Sequence, residues 1–188
     1  MMYKVPDSQK EKDILINKDG KNKYCQKDSI GNLIRYIARE NGLPKDDLVC
    51  CGAFGATDFT DIDDTIRQFE CVQLLHKTND GINRYIDHEI YLFSTEDENN
   101  LKKYNISFDS IARKMANEFF NDGFQVYYGV HNKDTGTDNL HIHFAVNTVN
   151  FKTGKKRHEN MIETKRNEQK FRDIVNKEIR YHKERFSE

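Results

Sequence analysis

The chain has 188 residues, the size of one domain, and sets 30 Lys and Arg against 31 Asp and Glu for a formal net charge of −1. That balance excludes a protein held on nucleic acid by bulk charge but leaves room for a local basic site. Hydrophobic residues make up 36%, yet 12 Phe and 9 Tyr supply a core, and no apolar run nears the roughly 20 residues of a membrane span, which excludes a disordered chain or an inserted one. Met1 to Lys10 is polar, without the apolar core of a secretory signal. Cys25, Cys50, Cys51 and Cys71 form no CxxC pair. They read as reduced thiols, and the expected location is the cytoplasm.

Taken in chain order, Asp13 to Lys18 carries Ile14, Leu15 and Ile16 and reads as a strand ended by Asp19-Gly20. Asp28 or Ser29 then caps a helix with Ile30, Leu33, Ile34 and Ile37 on one side. It stops at Asn41-Gly42, with Pro44 just beyond. Leu48 to Phe54 is a short apolar strand or tight loop. Thr60 opens a second helix, with Asp61, Asp63 and Asp64 in its first turn and Ile62, Ile66, Phe69 and Leu75 as its apolar side. Asn79-Asp80-Gly81 ends it. Tyr85 to Phe93 alternates as a strand.

Ser107 caps the clearest helix, where Phe108, Ile111, Ala112, Met115 and Phe119 form one stripe. Asp122-Gly123 stops it. Phe124 to Val130 is a strand, His131 to Asn139 a polar loop, and Leu140 to Phe151 the strongest strand of the chain. The segment 159–187 is a charged C-terminal helix with Phe171, Ile174, Val175 and Ile179 on one side. The loop between the last two strands is too short for a parallel crossover, so they pair antiparallel. The expected fold class is α/β: a mostly antiparallel central sheet with helices packed on it, in a single domain over 1–188.

His141-Ile142-His143 carries the chemistry. Side chains alternate along a strand, so the two imidazoles share a face, about 6.5–7 Å apart at Cα. His131, at the end of the neighbouring strand, can reach the same point if the strands pair. Three neutral imidazoles leave a divalent ion its full charge and open positions, which is the form of a catalytic centre. Taken alone, the pair is also compatible with a surface coincidence. His76, His158 and His182 are scattered and read as ordinary surface residues. Beyond the histidine strand, Phe151 to His158 packs Lys152, Lys155, Lys156 and Arg157 around Gly154, the densest positive cluster of the chain. Phosphate backbones attract such clusters, although a solvated basic turn looks the same in sequence.

The run from His131 through Asp134, Thr137-Asp138-Asn139 and Leu140-His141-Ile142-His143-Phe144 to Thr153-Gly154-Lys155-Lys156 resembles the third motif of relaxases. These are the mobilisation nucleases of conjugative plasmids and integrative elements, within the HUH (histidine, hydrophobic, histidine) endonucleases. Tyr36-Ile37 resembles the first motif, whose tyrosine is the nucleophile. Tyr85 to Glu98 resembles the second motif region, with His88 in its frequent histidine position. Two departures are visible. The loop Asn132 to Asn139 is a few residues longer than the family's usual spacing. Leu92 stands where the serine of the second motif is expected, with Ser94 two residues later on the same strand face.

The resemblance implies site- and strand-specific nicking of single-stranded DNA at a transfer origin by tyrosine transesterification. That reaction leaves a 5′-phosphotyrosyl link and a free 3′-hydroxyl. It implies Tyr36 as nucleophile and His131, His141 and His143 as ligands of a divalent ion, magnesium or manganese in the cell, with other divalent ions admissible because imidazoles favour zinc, nickel or copper. Asp134 and Asp138 are candidates for base or for orienting a histidine. Arg35, Arg39, Lys152, Lys155, Lys156 and Arg157 are candidate DNA contacts. Accessory relaxosome proteins and a coupling protein are implied partners. Tyr24, Tyr127 and Tyr128 rival Tyr36 as nucleophile. Three other readings stand beside this one: a rolling-circle initiator or transposase of the same class using Tyr181, a non-catalytic DNA-binding module, and a metallohydrolase of small phosphoesters.

Overall fold

The computed structural model describes residues 24–26, 28–40, 46–76, 84–132, 140–158 and 161–185. The strand expected at Asp13 to Lys18 and the stop signals at Asn41-Gly42, Pro44 and Asn79-Asp80-Gly81 lie outside them. The described elements run α1 (Ser29–Ile37), β1 (Leu48–Phe54), α2 (Ile62–Leu75), β2 (Ile86–Leu92), α3 (Thr95–Lys103), α4 (Phe108–Asn121), β3 (Val126–His131), β4 (His141–Asn147) and α5 (Met161–Arg185).

The strands form one sheet in the order β1-β3-β4-β2, with every neighbouring pair antiparallel. The fold is therefore α/β with an antiparallel sheet, as expected. Residues facing each other across an antiparallel pair point to the same side. The pairs His131↔His141 and Gly129↔His143 on one flank, with Leu92↔His141 and Ile90↔His143 on the other, thus put all of these on one face. The intervening residues Val130, Ile142 and Tyr91 belong to the opposite face.

Each face has its own core. On the histidine face, Ile30, Leu33, Ile34 and Ile37 of α1 and Ile62, Ile66 and Phe69 of α2 bury against Tyr127, Ala145 and Ile86. On the other face, Ile111, Ala112, Met115 and Phe119 of α4 and Phe171 and Val175 of α5 bury against Tyr128, Val130, Ile142, Phe144 and Tyr91. The apolar stripes read from the helix period are the ones that pack, with one correction. Leu75 is 77% exposed, and Gln73 takes the buried place at the end of α2. The stripe Ile62, Ile66, Phe69 steps by four and three residues, so its continuation is Gln73 and not Leu75.

Gln73 also helps to end β4. Its amide donates to Asn147 Oδ1 at 2.6 Å and to the Tyr85 carbonyl at 2.8 Å. Asn147 Nδ2 donates to the Phe69 carbonyl and to Gln125 Oε1. This satisfied polar cluster stops the strand at Asn147, short of the expected Phe151, and turns the chain into the loop that carries the basic residues.

Three further local expectations are revised. Helix α2 is capped by Asp61, whose carboxylate accepts from Asp64 N, and not by Thr60. Asp28 holds the N-cap position of α1 without a side-chain bond to the backbone, while Ser29 Oγ accepts from Gln26 N. Helix α3 was not foreseen, because Leu101 is its single buried residue and no stripe announces it. Its ends were legible: Ser94 accepts from Asp97 N, Glu96, Asp97 and Glu98 fill the first turn, and Lys102 and Lys103 the last. Ser94 therefore caps a helix beyond the end of β2, and it is not the strand serine of the second motif.

Candidate active site

His131 closes β3, and His141 opens β4 directly opposite it. His143 follows one alternation later, so three imidazoles converge although the loop between the strands is long. The register of β3 on β4, and not the loop length, sets where His131 lies. Ring centroids are 4.6 Å apart for His131–His143, 4.7 Å for His141–His143 and 5.6 Å for His131–His141. One ring nitrogen from each lies within 4.8 Å of the others. All three residues are at most 2% exposed.

The cluster is roofed by the C-terminal turn of α1. Gly129 makes this close approach possible: a Cβ there would lie 2.7 Å from Ile37 Cγ2 and 3.0 Å from the Ile37 carbonyl oxygen. At that contact His131 Nε2 meets the Ile37 carbonyl at 2.8 Å. A carbonyl only accepts, so Nε2 carries the proton and Nδ1 holds the lone pair. His131 Nδ1 is buried without a hydrogen-bond partner. An unsatisfied, dry imidazole lone pair beside two more imidazoles fits a divalent cation. The helix C-terminus adds negative potential that favours one.

Burial lowers the His131 pKa to about 4, against the opposing bond to the Ile37 carbonyl. The residue is thus neutral and ready to ligate near neutral pH. Since its folded pKa lies below the unfolded value near 6.5, only the unfolded chain takes up this proton as pH falls from about 6.5 to about 4. The metal-free protein is therefore expected to lose stability through that window, with a His131 share of about 3 kcal/mol. Urea midpoints measured across it check the sign. His131→Gln, whose amide can still donate to the Ile37 carbonyl, flattens that part of the profile.

Tyr36 lies in the last turn of α1, half-buried, with its ring edge-on to His143 at 5.5 Å, His88 at 6.2 Å and His131 at 6.5 Å between centroids. Arg39 stands at the helix end with a left-handed backbone, φ 55°, where glycine is usual. Glu40 N bonds the Arg35 carbonyl and Arg39 N the Tyr36 carbonyl, closing the turn. The Arg39 side chain folds back, 5.0 Å from the Tyr36 ring centroid, and pairs bidentately with Asp47 at 3.1 and 2.8 Å. It is 3% exposed. Its charge is directed at Asp47 and Tyr36, not at bulk solvent.

The rival tyrosines separate. Tyr127 shares the histidine face but is fully buried, and burial with the neighbouring Cys51 pushes its phenol pKa up. Tyr128 points to the other face, where its hydroxyl donates to Asp109 at 2.8 Å. Tyr24 is buried beside His88, its hydroxyl 2.8 Å from Nδ1 of that ring. Tyr181 lies on α5, 53% exposed, and α5 packs on the face away from the histidines. Asp134 and Asp138 lie outside the described residues.

The basic candidates do not gather at the histidines. The loop after β4 leaves the opposite end of that strand from His141, on the order of 20 Å away. Lys152 and Lys155 are exposed there. Lys156 is half-buried, its ammonium 3.2 Å from the Arg84 carbonyl and over the Tyr85 ring, and burial lowers its pKa. Arg157 pairs with the buried Asp87 at 2.9 Å and with the buried Glu89, which fastens the loop to β2. Arg35 pairs with Glu40 at 2.7 Å and with Asp63. These contacts use the arginine charges inside the fold.

The sequence reading left four parts of the site unassigned: His88 as a neighbour of His143, Gly129, Asp47 and the Ile37 carbonyl. His88 carried a signal in its motif position. The other three depend on contacts between distant segments.

An antiparallel α/β sandwich with His-hydrophobic-His on a central strand and a helix-borne tyrosine over it has the arrangement of the HUH endonuclease class. Residues 21–179 match the family model described as Relaxase: MobA/VirD2-like, nuclease domain. The chain belongs to this family, and its domain is a relaxase nuclease domain. No match was found among curated proteins. Among the described residues, no helix is long and apolar enough to cross a membrane.

Proposed function

We propose that the domain nicks one strand of DNA at the transfer origin of its own mobile element and holds the cut end on Tyr36. The observation that carries this reading is the edge-on packing of the Tyr36 ring against His143 at 5.5 Å, beside three imidazoles whose ligand atoms lie within 4.8 Å of one another.

A divalent ion held by His131, His141 and His143 would draw charge from the non-bridging oxygens of the scissile phosphate. The chain's own residues do the rest. Tyr36 Oη attacks phosphorus in line and forms the O–P bond. The P–O3′ bond breaks, the 3′-oxygen leaves and gains a proton, and the phenol gives one up. The phosphotyrosyl ester keeps the energy of the broken diester, so the strand can be rejoined without ATP. Arg39 holds the Tyr36 ring and sets a positive charge beside the oxygen that loses its proton. Asp134 and Asp138 remain candidates for base. Lys152 and Lys155 would grip phosphates about 20 Å from the cut, given the length of β4, with Lys156 adding a weaker contact. Arg35 and Arg157 act first as internal ties. Magnesium or manganese would serve in the cytoplasm, and accessory relaxosome proteins and a coupling protein would deliver the strand.

The reading is tested by incubating the protein with single-stranded oligonucleotides from that origin and manganese, then resolving the products on a denaturing gel. A protein–DNA adduct abolished by EDTA is expected. Binding without any adduct would favour a non-catalytic module and end the nicking proposal.

A further inference from the structure

We infer that His88 and Tyr24 form an outer hydrogen-bond relay that keeps the proton of His143 on Nδ1 and thereby presents its Nε2 as a lone pair to the histidine cluster. This rests on the metal-centre reading above. His88 Nε2 lies 2.9 Å from His143 Nδ1, and Tyr24 Oη lies 2.8 Å from His88 Nδ1. The register of β2 on β4 pairs His88 with Ala145 and Ile90 with His143, so His88 sits diagonal to His143 on the same face. Tyr24 is held to the start of β2 by a bond from Tyr85 N to its carbonyl at 2.8 Å.

A neutral imidazole carries one N–H and one lone pair, so the chain of three groups has two self-consistent polarities. In the first, Tyr24 donates to His88 Nδ1, His88 Nε2–H donates to His143 Nδ1, and His143 bears its proton on Nε2. That proton bars a cation. In the second, His143 Nδ1–H donates to His88 Nε2, His88 Nδ1–H donates to Tyr24 Oη, and His143 Nε2 is a lone pair. Only the second is compatible with ligation. Burial pushes the Tyr24 phenol pKa up, so it stays a neutral group able to accept. His131 reaches the same end by a one-way device, since the Ile37 carbonyl can only accept. The His143 relay is reversible, so its outer partners govern how much of the protein is poised to bind a cation.

Tyr36 packs against both His88 and His143, so nicking activity alone cannot separate a relay from lost packing. Metal affinity of the full chain, measured by calorimetry with cobalt(II), can. His88→Ala is expected to weaken cobalt binding on the order of 10- to 100-fold. His88→Gln, whose side-chain carbonyl can accept from Nδ1–H, should recover most of that loss and guards against a variant that folds poorly. Tyr24→Phe should weaken binding by less than His88→Ala does. In ¹⁵N-labelled protein loaded with zinc, the His143 proton is expected on Nδ1. The relay is overturned if His88→Ala binds cobalt as the parent does, if His88→Gln is as weak as His88→Ala, or if zinc-loaded His143 is protonated on Nε2. An unchanged Tyr24→Phe removes Tyr24 from it. A parent chain that binds no divalent metal overturns the metal-centre reading and the relay together, whereas normal parent binding with an indifferent His88 overturns the relay alone.

Discussion

Tyr36→Phe is expected to abolish the covalent protein–DNA adduct, with a rate loss of roughly 10⁴- to 10⁶-fold, the scale seen when an enzyme's nucleophile is removed. The substitution deletes one oxygen from a half-buried ring and opens no cavity in the core. The contacts of that ring with His143, His88 and Arg39 are made by carbon and survive. Single-strand binding and thermal stability should therefore stay near the parent values, which assigns the loss to chemistry. Tyr181→Phe should form adduct normally, because Tyr181 lies on the helix packed behind the sheet. Adduct in the Tyr36 variant that vanishes with Tyr181→Phe would mean the nucleophile comes from the C-terminal helix, as in initiators of the class. Metal-dependent turnover of small phosphoesters, unchanged by Tyr36→Phe, would point to a hydrolase instead.

The second large effect is expected at Gly129. An added Cβ would lie 2.7 Å from Ile37 Cγ2, 3.0 Å from the Ile37 carbonyl oxygen and 3.3 Å from His131 Nε2. Two of these neighbours belong to the helix that carries Tyr36, and the third is a candidate ligand. Gly129→Ala must lift the end of α1 or displace His131. Overpacking of this kind costs about 1–3 kcal/mol. The functional cost is larger, since a reacting group misplaced by about 1 Å can lose roughly 100-fold in rate. Urea midpoints and the rate of adduct formation measure the two separately. Gly31→Ala, on the same helix, is the control. Its Cβ would meet Ile66 at an ordinary 3.7 Å, and relief of helical glycine should stabilise by about 0.5–1 kcal/mol. A Gly129→Ala protein as stable and as active as the parent would show that α1 is not anchored where Ile37 meets His131.

Legibility in the sequence followed the range of the interaction. The stripe of α4 and the alternation of His141, Ile142 and His143 were readable because helix and strand periods are local. The antiparallel pairing of β3 with β4 was readable from loop length alone. Helix α3 was missed because it buries only Leu101, so its evidence lay in Ser94, Asp97 and the charges at its ends. Leu75 was misplaced because its own apolarity outweighed the period of its neighbours.

Charges were the least legible feature. Lys152, Lys155, Lys156 and Arg157 look alike in sequence, yet Arg157 meets Asp87 and Glu89 from β2, some 70 residues earlier. Arg39 likewise finds Asp47 across a helix end. A side chain's net charge at the surface depends on which opposite charges the fold brings to it, and no local pattern records that.

The amino-acid order alone settled the family resemblance, the antiparallel α/β class and the three histidines, because spacing on one or two adjacent strands is enough to place them. Only the packed chain decided that His131 stands opposite His141 despite a long loop, that α1 closes over Gly129 to bring Tyr36 to the imidazoles, and that His88 and Tyr24 stand behind His143. Those outcomes depend on strand register and on how closely a helix can approach a sheet, which are properties of distant segments in contact.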